Sequence, residues 1–125
     1  MPGIRRIRID PSEAKPARDP IFVGAVATQE VVNEAHAELL RVTAVTFDDG
    51  ARNRPHRHST DQVLVVTSGR GFIATDEETL SLESGDVAFI AKGTRHWHGA
   101  SSGVSFTHLS ILTPGHMEID DATTV

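Results

Sequence analysis

Residues 50–69 read Gly50-ARNRP-His56-Arg57-His58-STD-Gln62-VLVVTS-Gly69. In a β-strand, side chains two apart point to the same face. His56 and His58 therefore project together, and Gln62 has the same parity. Two imidazoles on one face can converge on a single ion, and a glutamine oxygen can join them. The commoner setting for an isolated H-x-H pair is an exposed strand, so the flanking residues decide the matter.

The surrounding chain is built from short β-rich segments split by turn residues. Glu38–Phe47 is dense in β-branched residues and stops at Asp48-Asp49-Gly50. Pro55–Thr67 reads as a strand stopping at Ser68-Gly69, and Gly71–Thr75 precedes the acidic turn Asp76-Glu77-Glu78. Thr79–Leu82, Asp86–Ala91, Arg95–Gly99 and Val104–Leu112 follow, each closed by a turn signal or by Pro114. Upstream, Ile4–Ile9 alternates in part and is expected to be a short edge strand. Pro11, Pro16 and Pro20 mark a turn-rich connection, and Phe22–Thr28 reads as a strand with a flexible Gly24. Residues 29–37 fit a helical turn or a loop equally well. Met117–Val125 is expected to be a mobile tail or an edge strand. Many short strands and no long helix predict an all-β barrel or sandwich.

A second segment completes the pattern: Gly85-DVAFI-Ala91-Lys92-Gly93-Thr94-Arg95-His96. Together the two segments resemble the two motifs of the cupin superfamily. The first is Gly, five residues, H-x-H, three or four residues, Glu, six residues, Gly. The second is Gly, five residues, P-x-G, two residues, His. Every spacing agrees, with Gln62 in place of the family Glu and Ala91 in place of the frequent Pro. The motifs cover residues 50–96, and flanking strands extend the likeness over 38–112. The resemblance implies a single cupin β-barrel, jelly-roll-like with two antiparallel sheets, spanning residues 1–125. Residues 1–20 would form an N-terminal arm and 113–125 a tail. It also implies one divalent transition metal on His56, His58, Gln62 and His96, with Mn2+ favoured over Fe2+, Zn2+ or Ni2+. Gly50, Gly69, Gly85 and Gly93 fall at corners where positive φ is expected.

The segments Arg95-His96-Trp97-His98-Gly99-Ala100 and Phe106-Thr107-His108-Leu109-Ser110 resemble the small bacterial cupins related to manganese-dependent hydroxynitrile lyases. Those proteins also carry Gln for Glu. The likeness implies His98 as a candidate base and His108 as a second pocket histidine. His98 shares the parity of His96, and an imidazole beside a +2 ion should stay neutral and able to accept a proton. A histidine that only holds a ligand or the backbone by a hydrogen bond fits equally well. For His108 a satisfied core histidine is the plainer reading. Asn53 is expected near the pocket mouth. Thr43, Val45, Phe47, Val87, Phe89, Phe106 and Leu112 are expected to line a mostly apolar pocket. Trp97 has the opposite parity and should face outwards, and Arg95 should be solvated. His36 and His116 should lie on the surface.

With Lys+Arg 12 against Asp+Glu 17 the net charge is -5, which disfavours nucleic acid and anionic membranes as partners. Cys 0 excludes disulfides, thiolate zinc sites and thiol nucleophiles. No apolar run approaches a membrane span, and the basic N-terminus has no apolar h-region, so cytoplasm is the expected compartment. The expected functions are cleavage or synthesis of a cyanohydrin, dioxygenation of a small phenol or diketone, or binding of a small molecule without turnover. An uncovered N-terminal strand, exchanged between two chains, predicts a homodimer.

Overall fold

The computed structural model describes residues 3–121. Residues 1–2 of the expected arm and 122–125 of the expected tail lie outside the described residues. The first strands are β1 (Lys15–Pro16), β2 (Phe22–Val23), β3 (Val26–Val32), β4 (Arg41–Phe47), β5 (Arg52–Asn53) and β6 (His56–His58). They are followed by β7 (Gln62–Ala74), β8 (Thr79–Glu83), β9 (Val87–Ile90), β10 (Trp97–Ala100), β11 (Phe106–Leu112) and β12 (Met117–Ile119). One short 3-10 turn, Pro11–Glu13, starts at Asp10, whose carboxylate accepts the Ser12 amide. Among the described residues no helix is long and apolar enough to cross a membrane.

β7 is the spine. Its first part pairs with β9 on one edge and β11 on the other, in an antiparallel layer that continues through β4, β3 and β1. Its second part pairs with β8 and β10, in a layer that continues through β5 and β2. One bent strand thus joins two antiparallel layers, and their inner faces enclose the core. Phe47, Leu64 and Phe106 are fully excluded from water, with Val66, Ile73, Leu82 and Ile90 around them.

The bend revises one expectation. Ser68-Gly69 does not end a strand, because β7 runs through it. Gly69 takes φ 77, and the pairing with β11 passes over Thr67, matching Val66 to His108 and Ser68 to Thr107. This is a β-bulge, which turns the strand without breaking it. A Cβ on Gly69 would strike the Ser105 carbonyl and lie 3.0 Å from the Phe106 Cα. Gly50, Gly85 and Gly93 also take the positive φ expected of them.

The N-terminal expectation is overturned. Residues 4–9 form no strand, and Ile4 is almost wholly exposed. The chain there is held by a side chain instead: Gln29 donates to the Arg8 carbonyl (2.8 Å) and accepts from the Asp10 amide (2.9 Å). Gly24 splits Phe22–Thr28 into two strands, and the second runs on to Val32, so the first four of the nine ambiguous residues 29–37 are strand. The segment 38–47 enters its strand only at Arg41. In the tail, Met117–Ile119 is an edge strand against β6.

Val87 and Phe89 do not point into the barrel interior, though both border an open groove on its outside. β9 pairs Ile90 with Gln62 and Ala88 with Leu64, so Ala88 and Ile90 share the inner face with those residues. Val87 and Phe89 face outwards, 63% and 66% exposed. Arg95 is also not solvated. Its side chain is 14% exposed, lies over the Trp97 ring, donates to the Asp120 carbonyl and pairs with Asp76 and Asp120.

Gly69→Ala is expected to lower stability by at least about 2 kcal/mol, since it adds both positive-φ strain and a backbone clash. Urea denaturation checks this; an unchanged midpoint would mean that the bend does not depend on glycine.

Candidate metal centre

His56 and His96 are brought together by backbone pairing. Each donates its amide to the other's carbonyl at 3.0 Å, which joins β6 to the segment before β10. Their rings lie 4.3 Å apart, and His58, on the same face as His56, lies 4.9 Å from it. The candidate ligand nitrogens of His56, His58 and His96 all fall within 4.8 Å of one another. β12 covers the edge, with Ile119 opposite His56 and Met117 opposite His58.

The orientation of two of the three rings is set by a backbone carbonyl. His56 Nδ1 donates to the Arg54 carbonyl at 2.7 Å, and His96 Nδ1 donates to the Thr94 carbonyl at 2.8 Å. Each bond places the ring proton on Nδ1 and leaves the Nε2 lone pair free. Gln62 is oriented in the same way: its amide nitrogen donates to Ser110 Oγ at 2.8 Å. Three buried acceptors are left without a partner, namely His58 Nε2, His96 Nε2 and Gln62 Oε1. Orphaned buried acceptors cost about 1–3 kcal/mol each. A divalent cation would satisfy them, and imidazole nitrogens with an amide oxygen suit a borderline transition metal. The residues present therefore fit the expected ion.

Burial pushes the imidazoles towards neutrality. His56 falls to about 3, through desolvation and then its His96 neighbour, with the Arg54 carbonyl opposing. His58 falls to about 4 for the first two reasons. Burial also lowers His96, against the Thr94 carbonyl. Neutral imidazole is the form that binds a metal.

Behind these rings lies a second polar group. Asn53 is not at a mouth but in β5, 3% exposed. Its Oδ1 accepts the His98 amide at 2.8 Å, so its Nδ2 must face the His98 ring, 3.1 Å from Nε2. His98 Nε2 is therefore an acceptor and Nδ1 carries the proton, which is donated to His108 Nε2 at 3.2 Å. His108 Nδ1 is left as a buried N–H without a partner. Burial, then His108, pushes His98 well below its ordinary range, and burial holds His108 at about 4. His98 and His96 stack at 5.8 Å, as their shared parity requires.

The remaining expected pocket residues divide. Phe47 and Phe106 are core, stacked at 6.2 Å and packed against His108. Val45 is buried opposite His108. Thr43 and Leu112 share that inner face but are half-buried, beside Ser110 and Gln62. Trp97 is half-buried on the opposite side from His98, and His36 and His116 are exposed. Ser110 and the Arg54 and Thr94 carbonyls were not foreseen. Only Ser110, at inner parity with His108, left a trace in the sequence.

Residues 43–112 match the model of the cupin domain, more than half of the chain. The chain belongs to the cupin family. A curated relative, the (R)-mandelonitrile lyase of Granulicella tundricola, is 34% identical over 91 residues, covering 72% of this cupin and 70% of the relative. A cupin-like protein from Thermotoga maritima superimposes with a TM-score of 0.82 at 31% identity, over 90% of this chain and 88% of that one. The polyketide cyclase of Streptomyces resistomycificus shares the fold at 15% identity, with a TM-score of 0.81 over 96% and 89% of the two chains.

Two predictions follow from the donor set and its burial. His56→Ala should abolish stoichiometric divalent-metal binding, while Gln62→Glu should hold the ion about tenfold more tightly by adding a negative ligand. Chelator competition checks both, and an unchanged affinity in Gln62→Glu would place residue 62 outside the ion's ligands. In metal-free protein, His56, His58 and His108 titrate near 3–4 when folded but near 6.5 when unfolded. The unfolded chain thus binds more protons below about pH 6.5, and stability is full above that pH and falls progressively towards pH 4. Tm at pH 5 should lie more than about 5 °C below Tm at pH 7.5.

Proposed function

We propose that this cupin is a divalent-metal-dependent lyase that cleaves or forms a cyanohydrin. The observation that carries the reading is the cluster of neutral imidazoles at His56, His58 and His96, together with the buried, unpartnered oxygen of Gln62. The likeness to a relative named (R)-mandelonitrile lyase supports it. Manganese is the favoured ion, then iron, zinc or nickel. Because all four proposed ligands are neutral, the ion would keep its full charge and supply Lewis acidity to a hydroxyl oxygen.

The chain's own residues handle the proton. In the cleavage direction the hydroxyl loses its proton to a base and the carbon–cyanide bond breaks. The bonding pair leaves with cyanide, which takes up a proton, and the carbonyl compound remains. His98, kept neutral by burial, is the proposed base. Its acceptor is Nε2, and the Asn53 amide already occupies that lone pair. Proton uptake at Nε2 therefore requires Asn53 to turn away. His108 steadies the other side of the ring by accepting from Nδ1.

That same contact favours a second reading. A His98 whose lone pair is capped by an amide suits a cupin that binds a small molecule without turning it over.

Cyanide release from mandelonitrile decides between them. The manganese-loaded protein is expected to exceed free metal ion clearly, with His98→Ala lower by on the order of 10²-fold or more in kcat at unchanged metal content. No rate above free ion would sink the lyase reading and leave the binder.

A further inference from the structure

β6 carries two of the three clustered histidines, yet it belongs to neither layer of the barrel. Its only ladder partner among the described residues is β12. On its other side it is tied to the segment 93–96, by the His56–His96 bridge and by the His58 carbonyl, which accepts the Gly93 amide at 2.8 Å. Both segments carry an arginine beside the histidines. Arg57 stands between His56 and His58, and Arg95 directly precedes His96. Both arginines reach the same residue, Asp120, just past the end of β12.

The amide, carbonyl and carboxylate of Asp120 each go to a neighbour of a candidate ligand. The amide donates to the carbonyl of Pro55, the residue before His56, at 2.8 Å. The carbonyl accepts from Arg95 Nε at 2.8 Å. The carboxylate accepts from Arg57 Nε at 3.1 Å and lies 3.8 Å from Arg95 Nε. The facing is what a strand requires. Glu118 pairs with Arg57, so Asp120, two positions on, shares the face of Arg57 and not that of the histidines. Arg57 also donates from Nη1 to the Gly93 carbonyl at 2.8 Å, which draws 93–96 against β6 from outside. Beside Asp120, Asp121 pairs at 3.4 Å with Arg54, whose carbonyl orients the His56 ring.

Isolated exposed ion pairs contribute little to stability. Here a backbone amide, a backbone carbonyl and a carboxylate converge from one residue on two segments distant in sequence. His58 depends on this most. Backbone carbonyls orient the rings of His56 and His96, whereas among the described residues no hydrogen bond holds the His58 ring. Its place is set by where β6 lies. Asp120 also falls outside residues 43–112, the stretch that matches the cupin domain. We propose that Asp120 is a positioning residue of the metal centre: it clamps the segment bearing His56 and His58 to the segment bearing His96, and so fixes the spacing of the three ligand nitrogens. The proposal uses the metal centre alone and none of the cyanohydrin chemistry.

Manganese ion is the probe, with cobalt(II) as its spectroscopic stand-in. Asp120→Ala keeps the two backbone bonds and removes the carboxylate. It is expected to weaken Mn2+ binding about tenfold in chelator competition, and to speed release by a similar factor. The visible absorption of the Co2+-loaded variant should shift, because the ligand nitrogens move. Asp120→Asn keeps an oxygen for Arg57 and should restore most of the affinity and the wild-type Co2+ spectrum. Glu118→Ala, which removes a carboxylate from the same strand but none from the clamp, should leave both unchanged. Metal-free Asp120→Ala should keep its Tm within about 3 °C, because the pair with Arg57 is partly exposed. Wild-type affinity and spectrum in Asp120→Ala would overturn the proposal, as would a wild-type chain that binds no Mn2+. So would an equal loss in Glu118→Ala, the mark of a diffuse charge effect, or an unchanged Co2+ spectrum with a lowered metal-free Tm, the mark of plain destabilisation. Clamp-dependent Mn2+ binding without cyanide release from mandelonitrile would defeat the lyase reading and leave the clamp standing, whereas cyanide release with Mn2+ binding indifferent to Asp120 would do the reverse.

Discussion

Two backbone hydrogen bonds between His56 and His96 hold the centre of this cupin together. They join chain segments forty positions apart, and with them the ring of His58 and the start of β10. Backbone pairing is a demanding way to position a side chain, because the ladder sets the Cα separation and the facing of both residues at once. The carbonyls of Arg54 and Thr94 then fix ring rotation from two positions upstream of each histidine. The same local device is used twice, and in both cases it leaves the Nε2 lone pair pointing away from the backbone.

The polar content of the interior is concentrated in one place. Among the described residues, the buried polar side chains are Asn53, His56, Gln62, His96, His98 and His108. The rest of the core is aliphatic or phenylalanine. Polar groups are expensive to bury unless they find partners, and here only part of the cluster does. Asn53, His98 and His108 pair in a directional chain, amide to ring to ring, which leaves only His108 Nδ1 unpartnered among them. His58, His96 and Gln62 keep acceptors with nothing to accept from. A fold that tolerates such a cost at one location is built around what meets it there. A cation bound by the folded chain and not by the unfolded one returns that stability by mass action.

The spine strand carries the other constraint. A straight β7 would have kept β8 and β9 on one edge of one flat sheet. The bulge at Thr67 and the positive φ of Gly69 let one strand serve both layers, and so let the core close around Phe47, Leu64 and Phe106.

Much of the centre was legible in the chain alone. The spacing of His56, His58, Gln62 and His96 and the shared parity of His96 with His98 follow from the two-residue period of a strand. So does the opposite facing of Trp97. The corner glycines follow from backbone sterics, which no other residue escapes cheaply. Tertiary structure decided what parity leaves open. A period of two says which residues share a face, not which face is inner; the register Gln62 to Ile90 put Phe89 and Val87 outside. Whether Gly69 ends a strand or bends it depends on β11 lying alongside. The Asn53–His98–His108 chain joins three strands. Arg95 is removed from water by Asp76, Asp120 and Trp97, of which only Trp97 is near it in sequence. The carbonyls that orient His56 and His96 have no sequence signature at all, because every residue carries one.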